Sequence, residues 1–156
     1  MQTLNGGCAC KAVRYQLNDA PMFVNCCHCT SCQTETGSAF VINAIIESAR
    51  VITTKGAAKP VLTPSESGRG QQIWRCPQCQ VALWSNYGGA IDKLRFVRVG
   101  TLDEPGALPP GIHIFTRSKL PWVVLPEGTP AVAEYYDINE LWPNSSLERR
   151  RALSAE

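Results

Sequence analysis

The positions of eight cysteines place the strongest constraint on how this 156-residue chain can fold. They fall into a Cys-x-Cys pair (Cys8 and Cys10), a cluster of four between positions 26 and 32, and a Cys-x-x-Cys pair (Cys76 and Cys79). Such short spacings are typical of zinc sites, because cysteines two or three residues apart can reach the same ion. The sequence therefore predicts a fold organised around bound metal.

The central cluster contains three cysteines whose spacing suits one metal ion. Residues two apart on an extended strand point to the same face, so Cys27 and Cys29 should converge. A tight turn through Thr30 and Ser31 should bring Cys32 to the same ion. Because zinc bound by thiolates is normally tetrahedral, three cysteines leave a fourth position for water, a substrate thiol or a distant ligand. We predict an open zinc site at these cysteines.

Two further residues of the cluster fall on the opposite face of the predicted strand. We interpret Cys26 as a buried small apolar residue or spare thiol, and His28 as a neighbour of the ligands or a surface residue. Ligation of metal by either one is the less favoured alternative.

The two outlying cysteine pairs together supply four thiolates, the ligand set of a closed tetrahedral site. Pairing Cys8 and Cys10 with Cys76 and Cys79 leaves the three-cysteine group intact, and only Cys26 is left over. A structural zinc contributes on the order of 10 kcal/mol of apparent folding free energy, so losing one of these four ligands should unfold the chain. A framework of four disulfides is the alternative, and a reducing compartment disfavours it.

Composition and charge narrow the class of protein. The length fits one domain, and 44% apolar residues with 12 glycines and 11 prolines favour a turn-rich, mainly β fold with a core. The net charge is only +2, and basic residues cluster only at 149–151, so nucleic acid is not an expected partner. The N-terminus lacks the features of a secretory signal and no stretch is long enough to span a membrane, which predicts a cytoplasmic protein.

Hydrophobic periodicity predicts strands for most of the chain and short helices near its end. The predicted strands or extended segments are Lys11–Leu17, Ala39–Ile46, Arg50–Lys55, Val81–Tyr87, Leu94–Gly100 and Lys119–Leu125. A polar loop is predicted at Gln33–Ser38, and short helices are predicted at Pro130–Tyr136, Asn139–Trp142 and Ser146–Leu153.

Four stretches together resemble the family of glutathione-dependent formaldehyde-activating enzymes, which includes centromere protein V. They are Gly6-Gly7-Cys8-Ala9-Cys10, Cys27-His28-Cys29-Thr30-Ser31-Cys32 followed by Thr36-Gly37-Ser38, Cys76-Pro77-Gln78-Cys79, and His113–Lys119 followed by Pro121-Trp122. The resemblance implies a β-tent of antiparallel sheets, formed by residues 1–130, with residues 131–156 as a helical extension. It also implies a structural zinc on Cys8, Cys10, Cys76 and Cys79 and an active-site zinc on Cys27, Cys29 and Cys32.

The sequence departs from the family after each cysteine pair, where family members often carry glycine. Lys11 and Gln80 stand at these positions, and the turns around the metal are expected to require a positive φ there. The strain costs about 1 kcal/mol, which bound zinc can override.

A zinc ion held by three thiolates is better suited to holding a further thiol as a nucleophile than to generating hydroxide. With the resemblance, this implies a carbon–sulfur lyase type of enzyme that adds a thiol such as glutathione to a small aldehyde such as formaldehyde. His113 or a bound water is the predicted proton donor, and a hydrogen bond within the strand layer is the alternative role of His113. Arg14, Arg95 and Arg98 are candidates for binding a carboxylate, and Phe40 and Trp122 for lining a pocket.

Two other classes of function remain as alternatives. One is a zinc-binding module without catalytic activity that serves protein interaction or, through a disulfide between Cys29 and Cys32, redox sensing. The other, nucleic-acid binding, ranks third because the charge is nearly balanced.

Overall fold

The computed structural model describes residues 3–87 and 93–155, in which ten strands and three α-helices are found. The strands are β1 (Leu4–Gly7), β2 (Arg14–Leu17), β3 (Phe23–Cys27), β4 (Val41–Glu47), β5 (Val51–Lys55), β6 (Lys59–Thr63), β7 (Gln71–Arg75), β8 (Ala82–Tyr87), β9 (Leu94–Arg98) and β10 (Ile112–Ile114). The helices are α1 (Thr30–Thr36), α2 (Ile138–Leu141) and α3 (Asn144–Ala155).

The strands form two sheets. The larger has seven strands in the order β10-β3-β4-β9-β8-β7-β6, and the smaller has three in the order β1-β2-β5. All pairings within them are antiparallel except β10 with β3, which is parallel. The predicted mainly β class with antiparallel sheets and short C-terminal helices is confirmed, and the large sheet is mixed rather than purely antiparallel.

The central strands of the large sheet are covered on both faces. One face packs against the small sheet, where Tyr15 and Leu17 of β2 join Ala44, Val97 and Leu83 of the large sheet in the main core. The side chains that alternate with these point to the other face, because successive residues of a strand point in opposite directions. The C-terminal part of the chain packs on that second face. The candidate site lies between this face and the C-terminal part of the chain.

The C-terminal helices are anchored to the start of β3 and the end of β4. Trp142 and Leu147 are buried against Met22 and Ile45, and Ser146 Oγ donates to Met22 O at 2.7 Å. The short helices predicted at Asn139–Trp142 and Ser146–Leu153 correspond to α2 and α3. The division of the chain at residue 130 into a domain and an extension stays a prediction.

Three predicted segments differ from the structure. The predicted polar loop at Gln33–Ser38 is largely part of α1, which ends at Gly37 in the left-handed conformation (φ 63°). Lys119–Leu125 forms no strand. Pro130–Tyr136 is not helical, because its backbone pairs with the free edge of β10: Val132 N donates to His113 O at 2.9 Å, and Phe115 N donates to Glu134 O at 2.9 Å.

The described helices are all too short or too polar to cross a lipid bilayer.

Candidate metal centres and active site

The two outlying cysteine pairs meet in one group. The sulfur atoms of Cys8, Cys10, Cys76 and Cys79 all lie within 4.8 Å of one another, with Sγ separations of 3.5 Å between Cys8 and Cys10 and 3.7 Å between Cys10 and Cys76. With Zn–S bonds of about 2.3 Å, the edge of a zinc–sulfur tetrahedron measures roughly 3.8 Å. The four sulfurs therefore fit a closed zinc site, and this ligand set is the one that the sequence predicts.

Each pair of this group lies in a tight turn that is closed by the amide of the residue after the pair. Lys11 N donates to Cys8 O, and Gln80 N donates to Cys76 O, both at 3.0 Å. The residue that follows each pair has a left-handed backbone, with φ of 59° at Lys11 and 60° at Gln80. The predicted positive φ at both positions is confirmed.

The three-cysteine group is formed by the end of a strand and the start of a helix. Cys27 is the last residue of β3, Cys29 caps the N-terminus of α1, and Cys32 lies in its first turn. The sulfur of Cys29 accepts from Cys32 N at 3.3 Å, and all three sulfurs lie within 4.8 Å of one another. The predicted convergence is present, but a helical turn rather than a simple tight turn returns Cys32 to the group.

The three thiols shift one another's pKa values in opposite directions through their hydrogen bonds. The pKa of Cys29 is lowered to about 3 by hydrogen bonds with Cys27 and then Cys32. The same contacts, with Cys29 and then Cys32, raise the pKa of Cys27, and burial adds to this. The contact with Cys27 lowers the pKa of Cys32, but the contact with Cys29 and burial together outweigh it and raise this pKa to about 12. One soft thiolate among three buried sulfurs is a donor set that fits zinc.

A cavity of about 390 Å³ opens directly onto this group. Its lining combines the cysteines with aromatic and polar side chains: Asn25, Asn43, Tyr87, Phe96, Phe115 and Tyr135, with Ser65, Glu66, Ser67 and Arg69 at the loop that follows β6. A second, more open cavity of about 500 Å³ lies beside Glu35, Phe40 and Arg75 and is not lined by the three cysteines. The smaller cavity is the candidate active site because it contains the reactive sulfurs.

His113 lies in a different cluster, with Cys26 and His28. His28 Nε2 is 2.9 Å from His113 Nδ1 and 3.6 Å from Cys26 Sγ, and all three residues are buried. Burial lowers the pKa of His28 to about 4, with further lowering by His113 and Lys119, and burial also lowers the pKa of His113. His113 does not line the candidate cavity, and its predicted role as proton donor stays a prediction.

His28 instead supports the polypeptide around the site. Its carbonyl oxygen accepts from Gln33 Nε2 at 2.8 Å and from Ser118 Oγ at 3.0 Å, which joins α1 to the turn after β10. The interpretation of His28 as a surface residue is wrong, since its side chain is fully enclosed. Cys26 is buried, as expected for a small apolar residue or spare thiol.

The candidate arginines do not line the cavity as exposed carboxylate binders. Arg14 pairs with Asp103, Arg95 lies over the ring of Trp84 at 4.6 Å, and Arg98 is buried. Trp122 is 70% exposed, while Phe40 lines the larger cavity instead.

Sequence reasoning missed the two asparagines of the cavity. Asn25 and Asn43 are only 2% and 4% exposed, and they stand within otherwise apolar strands. A polar side chain in a buried strand normally has a hydrogen-bond partner or a functional role. This is the signal from which the two asparagines could have been identified.

These features define the class of the protein: a mainly β fold with one closed group of four cysteines and one group of three cysteines open to a cavity. The family model described as glutathione-dependent formaldehyde-activating enzyme matches residues 3–118. The chain therefore belongs to this family, as its cysteine motifs predict.

Comparison with individual proteins adds little to the family assignment. The search of curated proteins gives no match. Among solved structures, a crystal structure of a Rhodobacter sphaeroides protein is similar with 20% sequence identity and a TM-score of 0.47, covering 64% of this chain and 87% of the other.

Proposed function

We propose that this chain catalyses the reversible addition of a small-molecule thiol to a small aldehyde, with glutathione and formaldehyde as the pair that its family suggests. The observation that carries the proposal is the convergence of three buried cysteines on the wall of the 390 Å³ cavity. A closed structural site needs no such cavity, whereas a substrate that binds through sulfur does.

We further propose that Cys8, Cys10, Cys76 and Cys79 hold a structural zinc, and that Cys27, Cys29 and Cys32 hold a second zinc at the active site. When bound to three thiolates, zinc supplies a fourth position that accepts a substrate thiol and lowers its pKa. The fit of both cysteine groups to zinc supports this assignment.

The rest of the cavity suits a small aldehyde and a peptide-like thiol. Tyr87, Phe96 and Phe115 give it apolar walls, which limit the access of water to the reacting groups. Arg69 and Glu66 lie on the exposed loop at its edge, and the carboxylate of Glu66 is already paired with Arg117 at 2.9 Å. The cation of Arg69 is suited to a carboxylate group of glutathione.

The reaction is balanced without an oxidant or reductant. The substrate sulfur forms a bond to the carbonyl carbon, the π electrons of the carbonyl move to oxygen, and the proton lost from the thiol ends on that oxygen. The product is a hemithioacetal, which carries an S-hydroxymethyl group when the aldehyde is formaldehyde, and the reverse direction is a carbon–sulfur lyase reaction.

The test is metal content, glutathione binding and turnover with formaldehyde for wild type and for Cys29→Ser. We expect two zinc ions in wild type, one in Cys29→Ser, and loss of thiol binding and turnover in the variant. Cys26→Ser is the matched control, since it changes a buried cysteine outside both groups and should retain two zinc ions and activity. One zinc in all three proteins with no thiol binding would instead favour a binding module without catalytic activity.

A further inference from the structure

Two buried asparagines face each other across the sheet beside the three cysteines. Asn25 of β3 is aligned with Asn43 of β4, which is aligned in turn with Arg98 of β9. Asn25 lies two residues before Cys27, so the two side chains share one face of the sheet. Both asparagines line the candidate cavity together with the cysteines.

The side-chain oxygen of Asn43 is occupied by a group that can only donate. Arg98 donates through Nη1 to Asn43 Oδ1 and through Nη2 to Ser85 Oγ, the latter at 2.8 Å. Because a guanidinium has no acceptor, the atom of Asn43 that faces Arg98 must be oxygen. The amide nitrogen of Asn43 therefore faces away from Arg98.

The oxygen of Asn25 is fixed by a second chain of hydrogen bonds. Trp142 Nε1 donates to Tyr136 OH at 2.9 Å, and Tyr136 OH donates to Asn25 Oδ1 at 2.9 Å. The indole can only donate, so the hydroxyl proton of Tyr136 is available for Asn25. This arrangement again leaves the amide nitrogen free of the contact.

The contact of Asn43 with Arg98 engages its oxygen and not its amide nitrogen, and Asn25 shares a further side-chain hydrogen bond with Tyr135 of the cavity wall. An amide nitrogen carries two donor protons, so the contact with Tyr135 uses at most one of those of Asn25. Since both side chains border the cavity, the donors that remain are available to a ligand next to the cysteines. Arg98 and Tyr136 donate to the two oxygens, which prevents the amides from rotating to present oxygen to the cavity instead.

We infer that Asn25 and Asn43 form an oxyanion site, in which their side-chain amides donate to the aldehyde oxygen as it becomes an alkoxide. The inference rests on the proposed function and adds to it the residues that stabilise the developing negative charge. Fixed donors aimed at such an oxygen typically contribute about 10²–10³-fold in kcat each. Arg98 and Tyr136 act as positioning residues that orient the two amides.

Binding of thioacetate and ethanethiol separates this role from thiol capture. Thioacetate carries sulfur and a partly negative oxygen on the same carbon, as the alkoxide adduct does, whereas ethanethiol lacks the oxygen. We expect the zinc-loaded wild-type protein to prefer thioacetate in a calorimetric titration. Asn43→Ala and Asn25→Ala should each lose about tenfold of thioacetate affinity, because a hydrogen bond to a charged group is lost, and leave ethanethiol binding unchanged.

Two variants control for damage to the fold. Asn86→Ala removes a buried asparagine of the same sheet that donates to Leu94 O and does not line the cavity, and it should keep the preference for thioacetate. If Asn43→Ala fails to fold, Asn43→Asp keeps an acceptor for Arg98 but loses the donor. Because both ligands bind as anions through sulfur, the ratio of their affinities should still fall in this variant.

The outcomes distinguish the two proposals. A wild-type protein that binds both ligands, with variants that weaken both equally or neither, would overturn the oxyanion site and leave the thiol site standing. A wild-type protein that binds neither ligand would overturn the proposed function and this inference with it.

Discussion

At the scale of single residues, Lys11 shows where the chain stores strain. Its backbone is left-handed, with φ of 59°, a conformation that costs a residue with a side chain about 1 kcal/mol and glycine nothing. The turn requires this conformation because the amide of Lys11 closes it on Cys8 O. The residue is exposed, so its side chain provides no packing to offset the cost.

We therefore expect Lys11→Gly to increase the free energy of unfolding of the zinc-loaded protein by roughly 0.5–1 kcal/mol, measured by denaturant titration. Lys55→Gly is the matched control, since Lys55 is an exposed lysine at the end of β5 and lies outside the positive-φ set. That variant should lose stability, because glycine adds conformational freedom to the unfolded chain. Equal losses in both would contradict the strain at Lys11.

Phe115 is, with Lys11 and Gln80, one of three described non-glycine residues with a left-handed backbone, at φ of 54°, and it lines the candidate cavity. No feature of its sequence indicates a left-handed backbone. Its conformation depends on long-range pairing, in which Phe115 N donates to Glu134 O.

At the scale of elements, helix α3 is held by a partly buried ion pair. Arg149 donates through Nε to Glu47 Oε1 at 2.7 Å and also pairs with the second carboxylate oxygen. The Glu47 side chain is only 7% exposed, and a buried carboxylate that loses its main partner is costly. The second partner, Arg50, is more distant at 3.3 Å.

We expect Arg149→Ala to lower the free energy of unfolding by roughly 1–3 kcal/mol, because the carboxylate of Glu47 loses two charged hydrogen bonds. The control is Arg151→Ala, an exposed arginine on the same helix, which should change stability by less than about 0.5 kcal/mol. If the two variants behave alike, the ion pair does not anchor α3. The comparison also tests whether the C-terminal extension unfolds with the rest of the chain.

Elements that follow local patterns were predictable from the sequence, and elements fixed by distant partners were not. The alternation at Leu94–Gly100 and the apolar run at Ala39–Ile46 predicted the strands observed as β9 and β4. Pro130–Tyr136 has residues compatible with a helix, but the exposed edge of β10 offers it backbone hydrogen bonds. The polar residues after Cys32 indicated a loop, yet Cys29 as N-cap and Gly37 as a left-handed end allow the short helix α1.

The candidate site also combines residues that the sequence predicts with residues that it does not. Cysteine ligands are recognisable because their spacing is local, and even the two pairs 66 positions apart could be matched by counting thiols. The asparagine pair depends on the register between β3, β4 and β9, which no local pattern specifies. The position of His113 beside His28 likewise follows from the parallel pairing of β10 with β3.

At the scale of the whole molecule, the two metal groups have different relations to the fold. The four-cysteine group joins the turn before β2 to the turn between β7 and β8, and so connects the small sheet to the large one. The three-cysteine group joins only β3 to α1, which are adjacent in sequence. Zinc at the first group should therefore be coupled to global stability, and zinc at the second should not.

We expect a chelator to remove one zinc at constant circular dichroism and the second only with cooperative unfolding. The first zinc to leave should be the ion held by three cysteines, because it has fewer protein ligands and faces the cavity.

The affinity of the three-cysteine group for zinc should fall as pH falls. Cys29 has a pKa of about 3, whereas the pKa values of Cys27 and Cys32 are raised. The metal-free group near neutral pH therefore holds two protons that zinc binding must displace. Release of two protons corresponds to a loss of about 100-fold in affinity for each unit that the pH is lowered. In the chelator experiment, Cys32→Ser should abolish the first step of zinc removal and retain the second. Removal of both ions in one step with loss of structure would show that the three-cysteine group also supports the fold.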